Sequence, residues 1–146
     1  MSKKSKNVDI VESITIPLIG QEFLFIYNVK NLKKLKTHFD KDKHKILDKV
    51  FEDYDSTPNS VDGYVEQYTD KNENYYLSLV LKKSNNILTT LVHEIVHIMQ
   101  HVREKFFLNN MEVEFEAYIT EWIFKELHAL LKENKVLWMK NKLEHR

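Results

Sequence analysis

The sequence predicts an α+β domain in which a small, mostly antiparallel sheet packs against helices. Three observations predict it. The chain has 146 residues, 42% of them hydrophobic, enough for one domain to bury a core without disulfides. Short runs rich in β-branched and aromatic residues occupy the first half. Two long segments with helical apolar periodicity fill the second. Residues 1–7 read as a basic, disordered tail and residues 8–146 as a single domain; with only two glycines and two prolines, few positions can serve as linkers.

Each element follows from its local pattern. "SITIPLIGQEFLFIYNV" reads as two short strands with Gly20 at the turn, and Pro17 points to a sheet edge. "NLKKLKTHFD" and "DKHKILDKVFEDY" read as helical, the second gathering Ile46, Leu47, Val50, Phe51 and Tyr54 on one face. After the loop "DSTPNSVDG", the runs "YVEQYT" and "YYLSLVLKK" flank the polar "DKNEN" and predict a hairpin. Apolar residues at 87, 88, 91, 92, 95, 96, 98 and 99 predict a largely buried helix from Ile87 to about Glu104, capped by Asn85 or Asn86. A last long helix is expected from near Asn110 to Lys132.

Composition excludes several function classes. Lys plus Arg and Asp plus Glu each number 22, so no broad field favours nucleic acid or an acidic membrane. Without cysteine there are no disulfides, thiolate zinc sites or cysteine nucleophile, leaving His, Asp and Glu as the strong metal ligands. The basic start is followed by acidic residues where a signal peptide needs its apolar core, and no apolar run has membrane-spanning length.

Chemistry concentrates in "LTTLVHEIVHIMQH". Residues four apart on an α-helix share a face with Cβ atoms about 5–6 Å apart, so His93 and His97 can aim both imidazoles at one point. Glu94, rotated by about 100° from His93, lies beside that point and suits a base acting on water. Such polar groups on a greasy helix need a partner to offset desolvation, and a divalent metal is one. His93, Glu94 and His97 form H-E-x-x-H, the arrangement in which two histidines bind zinc and the glutamate serves as general base.

A catalytic zinc takes about three protein ligands and keeps one open position. The metzincin continuation needs glycine at 100 and histidine at 103, where Gln100 and Arg103 stand. His101 is one turn past His97, too far along a straight helix to share the ion, and reads as a rim residue. A third ligand is sought in "MEVEFEAYITEW" on the next helix, at Glu112, Glu114 or Glu116. There the chain resembles the gluzincins, whose second helix supplies a glutamate, often as E-x-x-A; Glu114-Phe115-Glu116-Ala117 fits that arrangement. The resemblance runs from Leu88 to Leu127 and is nearest to small single-domain metallopeptidase-like proteins of phage and bacterial genomes. Tyr118 stands where those resembling the phage-repressor-cleaving type usually carry asparagine.

That resemblance implies a zincin-like fold and hydrolysis of peptide bonds, with Zn2+ held by His93, His97 and Glu114, Glu94 as catalytic base, and Glu116 then Glu112 as substitutes for Glu114. It implies a peptide or protein substrate, while the balanced charge and the lack of a signal or spanning pattern lead us to expect no nucleic acid or membrane partner and a cytoplasmic setting, in the host if the chain is phage-encoded. The alternative is a catalytically silent zinc-binding interaction module on the same fold. Tyr118 and Glu121 can share the face of Glu114. "YYLSLVLKK" reads either as the edge of a peptide cleft or as a core strand. Tyr64, Tyr68, Tyr75 and Tyr76 either shape a binding surface or reflect strand preference, and His38, His44, His128 and His145 read as surface residues.

Overall fold

The computed structural model describes residues 9–29, 36, 39, 41, 44–58, 60–106 and 113–137. It is an α+β domain with the element order β1 (Ile10–Thr15), β2 (Glu22–Tyr27), α1 (His44–Ser56), β3 (Gly63–Thr69), β4 (Tyr75–Leu81), α2 (Ile87–Lys105) and α3 (Val113–Glu133). The sheet order is β1-β2-β4-β3. β1 with β2 and β3 with β4 are antiparallel, and β2 pairs with β4 in parallel, so the sheet is mixed. Pro17 follows the edge strand β1, in a turn where Leu18 and Gly20 take positive φ. The helix expected in "NLKKLKTHFD" lies largely outside the described residues.

The two central strands, FLFIY and YYLSLVL, are nearly continuous apolar runs because helices cover both sheet faces. Phe23, Phe25, Tyr27, Leu77, Leu79 and Leu81 point to α2 and α3, whose Leu91, Ile95, Ile98, Ile119, Ile123 and Leu127 complete the main core. The alternate residues Ile26 and Val80 point the other way, against Ile46 and Val50 of α1. Each fully buried Leu, Ile or Phe contributes about 1.5–3 kcal/mol. No helix among the described residues is long and apolar enough to cross a membrane.

Strand order assigns the cleft question. β4 is paired on both sides and is a core strand, so "YYLSLVLKK" offers no edge. The strand with an unpaired outer edge beside α2 is β3. Periodicity along β4 could not reveal this, since pairing partners lie far off in sequence. The tyrosines divide likewise: Tyr64, Tyr68 and Tyr76 pack on the α1 side, where the Tyr68 hydroxyl donates to Asp53 at 2.9 Å, and Tyr75 faces α2.

Candidate metal centre

α2 is laid across the sheet so that one flank meets β3. Gly63 makes the approach possible: a Cβ there would come within 2.8 Å of Thr90 Cγ2 and 3.0 Å of the Val80 carbonyl oxygen. Eleven residues further along α2, His101 Nδ1 lies 3.1 Å from Gln67 Oε1 of β3. The helix begins at Asn86, whose backbone N–H donates to Ser84 Oγ at 2.9 Å, and no side-chain cap bond is made. Expectation placed this helix largely in the core, but Val92 is 50% and Val96 46% exposed. Its outward stripe of Val92, His93, Val96 and Gln100 is open because α3 covers only one shoulder of α2.

On that stripe the histidines converge. His93 Nε2 and His97 Nε2 are 3.2 Å apart, with ring centroids at 4.8 Å and planes inclined by 75°. Two nitrogens each about 2.05 Å from a tetrahedral zinc lie about 3.3 Å from one another, so the spacing suits a shared ion. It also suits an N–H···N hydrogen bond. His97 Nδ1 lies 2.8 Å from Gln100 Oε1, and since a carbonyl oxygen only accepts, this nitrogen donates and leaves the Nε2 lone pair free. Metal-bound histidines are commonly oriented through their second nitrogen in this way. Sequence reasoning noted Gln100 only as a break in the metzincin pattern; its i, i+3 spacing from His97 was the available signal.

Glu94 is 5% exposed. It lies four residues after Thr90 and seven before His101, on the flank that meets β3. Burial pushes its carboxyl above the ordinary carboxylate range, and His93 and His97 pull it partly back. The structure therefore brings His93 and His97 together, with the Glu94 carboxyl near enough for both imidazoles to act on it.

It does not bring Glu114 to them. Glu114 is exposed in the first turn of α3, about 180° around the helix from the buried Ile123 nine residues later, and Ala117, Tyr118 and Glu121 share its exposure. Glu116, seven residues before Ile123, lies within about 20° of the buried face and pairs with Arg103 of α2 at 3.5 Å. Arg103 is six residues past His97, about 9 Å along the axis, so this pair holds Glu116 away from the imidazoles. Glu112 lies outside the described residues. Among those described, no group of three or more His, Cys, Asp or Glu side chains is arranged to hold a metal ion.

The remaining histidines have other partners. His44 Nε2 is 2.9 Å from the Lys36 carbonyl and 3.1 Å from that of Phe39, and His128 stacks on Phe124 at 5.4 Å. His101 is half-buried, and Gln67 Oε1 also accepts from the Tyr75 hydroxyl at 3.1 Å. His38 and His145 lie outside the described residues. No family model, curated protein or solved structure matches this chain.

Proposed function

We propose that this domain is a zinc-dependent peptidase of zincin-like architecture, hydrolysing peptide bonds with Glu94 as general base. The observation that carries the reading is the 3.2 Å approach of His93 Nε2 and His97 Nε2, with His97 Nδ1 anchored to Gln100 and Glu94 buried alongside. His93 and His97 would hold the ion. Glu114, the third ligand that the resemblance implies, stands in solvent and Glu116 pairs with Arg103, so the histidine pair is the part of the site that the described residues supply. A zinc ion held there would supply Lewis-acid chemistry, polarising a carbonyl and lowering the pKa of water. Glu94 would take the proton from water and deliver it to the leaving amine, a role suited to a carboxyl whose proton affinity burial raises. The exposed Val92 and Val96 give an extended peptide an apolar flank, and the β3 edge gives it backbone partners.

The test is zinc content and peptide hydrolysis measured on the same preparations. The wild type should carry one zinc per chain and cleave peptides, and Glu94→Gln should keep the zinc and lose cleavage. Protein that takes up no zinc, and gains no thermal stability from it, overturns the reading.

A second reading is a zinc-binding interaction module without proteolysis. It is favoured by one observation: among the described residues no acid of α3 joins the histidine pair. Under it, zinc binds, no peptide is cut, and Glu94→Gln behaves as the wild type.

A further inference from the structure

The histidine pair is half of a coordination set. Zinc in a protein is held at four tetrahedral positions, and His93 Nε2 and His97 Nε2, 3.2 Å apart, supply two of them. Among the described residues no further His, Asp or Glu is arranged with them to hold a metal ion. His93 is exposed, so the point where the two nitrogens meet is reached from outside the fold. Ligands not supplied from within the described fold can arrive on another molecule.

The face around the pair suits a copy of itself. The exposed residues of α2 from Thr89 to Gln100 are Thr89, Val92, His93, Val96 and Gln100. None is Asp, Glu, Lys or Arg, although these make up 30% of the chain, and depletion of charge is what distinguishes the centre of a protein interface. Thr89, His93, Val96 and Gln100 are spaced by four, three and four residues, the alternation along which two helices pack. The stripe is about 16 Å long, and the histidine pair lies at its middle. Val92 is 50% and Val96 46% exposed, apolar surface that nothing in the described fold covers. A twofold axis through the ion would set His93 and His97 of one copy against the same residues of the next, completing four imidazoles while the valines of the two copies meet.

We infer that two copies of this chain share one zinc ion across this stripe, each contributing His93 and His97, whenever chains outnumber zinc ions. The inference rests on the metal-site reading of the pair. It adds a regulation of the same site: with four imidazoles bound, the bridging ion has no position left for water, whereas a chain holding an ion of its own keeps positions open. As zinc rises to one ion per chain, each pair takes its own and the copies separate.

The experiment is sedimentation velocity of the full chain, first stripped with chelator, as zinc chloride is raised from none to an excess. The zinc content of the separated dimer is measured by elemental analysis. Stripped protein should be monomeric. The dimer fraction should be greatest at half an equivalent, with one zinc per two chains, and fall as zinc passes one per chain. His97→Ala should stay monomeric throughout. Val96→Lys, at an exposed position, should still take up zinc but weaken the dimer by about tenfold or more, the size of loss expected at an interface centre. Zinc uptake by chains that stay monomeric at half an equivalent overturns the shared site and leaves the zinc reading standing. A dimer that survives chelation or His97→Ala, or one untouched by Val96→Lys, overturns it as well. No zinc uptake at any ratio overturns both.

Discussion

The outer stripes of α2 and α3 make an instructive contrast. Both are exposed and both carry metal-binding residue types, yet on α2 the side chains converge to 3.2 Å and on α3 Glu114 and Glu121 stand in solvent. The difference is one of origin. The histidine pair is set by the i, i+4 spacing of a single helix, which any regular α-helix reproduces. Bringing an acid of α3 to that pair depends on how α3 is rotated about its axis, and the buried line Ile119, Ile123, Leu127 and Leu131 decides that rotation. A site half local and half tertiary is thus well formed only in its local half.

The largest effect expected on this contrast is from His97→Ala, which removes one of the two proposed ligands. Zinc affinity should fall by more than the about 10- to 100-fold typical of losing an outer-shell partner, as read by competition with a chromogenic chelator. Single Ala variants at Glu112, Glu114 and Glu116 in the same assay sharpen the comparison. If the tertiary half assembles on zinc binding, one of them weakens affinity comparably, and if it never does, all three match the wild type.

Next is Glu94→Gln, expected to lower kcat by about 10²- to 10⁴-fold with zinc retained. The same variant has a stability signature in zinc-free protein. A carboxyl whose pKa is raised by folding costs the fold nothing at acid pH, and an increasing amount as pH climbs from its unfolded value through its folded one. Thermal melts should therefore show Glu94→Gln more stable than the wild type at neutral and mildly alkaline pH, with the gain vanishing in acid. Equal melting temperatures across the range would show that the carboxyl is well solvated.

Smaller effects follow for the supporting contacts. Gln100→Ala should weaken zinc by at most about 10- to 100-fold, since it removes orientation and not a ligand. Gly63→Ala forces Thr90 or the Val80 carbonyl aside and should cost about 1–3 kcal/mol in urea unfolding. An unchanged midpoint would mean that α2 moves off β3 freely.

Legibility in the sequence followed the same division. The strands, α1, the β3–β4 hairpin and the span of α2 were readable because period-2 and period-3.6 patterns are local, as was the approach of His93 to His97. The interior place of β4, the open edge of β3, the exposure of Val92 and Val96 and the outward turn of Glu114 were not. Each depends on which elements become neighbours. Ala117 shows the limit clearly: the small residue that closes the E-x-x-A pattern is exposed, and the close approach in this fold is made by Gly63 against Thr90.

The central claim is that His93 and His97 share one divalent ion through their Nε2 atoms. Side-chain 15N NMR of the histidines during a zinc titration tests it directly. The account predicts that the Nε2 resonances of His93 and His97 move together to metal-bound values and saturate at one equivalent, with His44 and His128 unmoved. Shifts in neither, or in only one of the pair, at saturating zinc would contradict it.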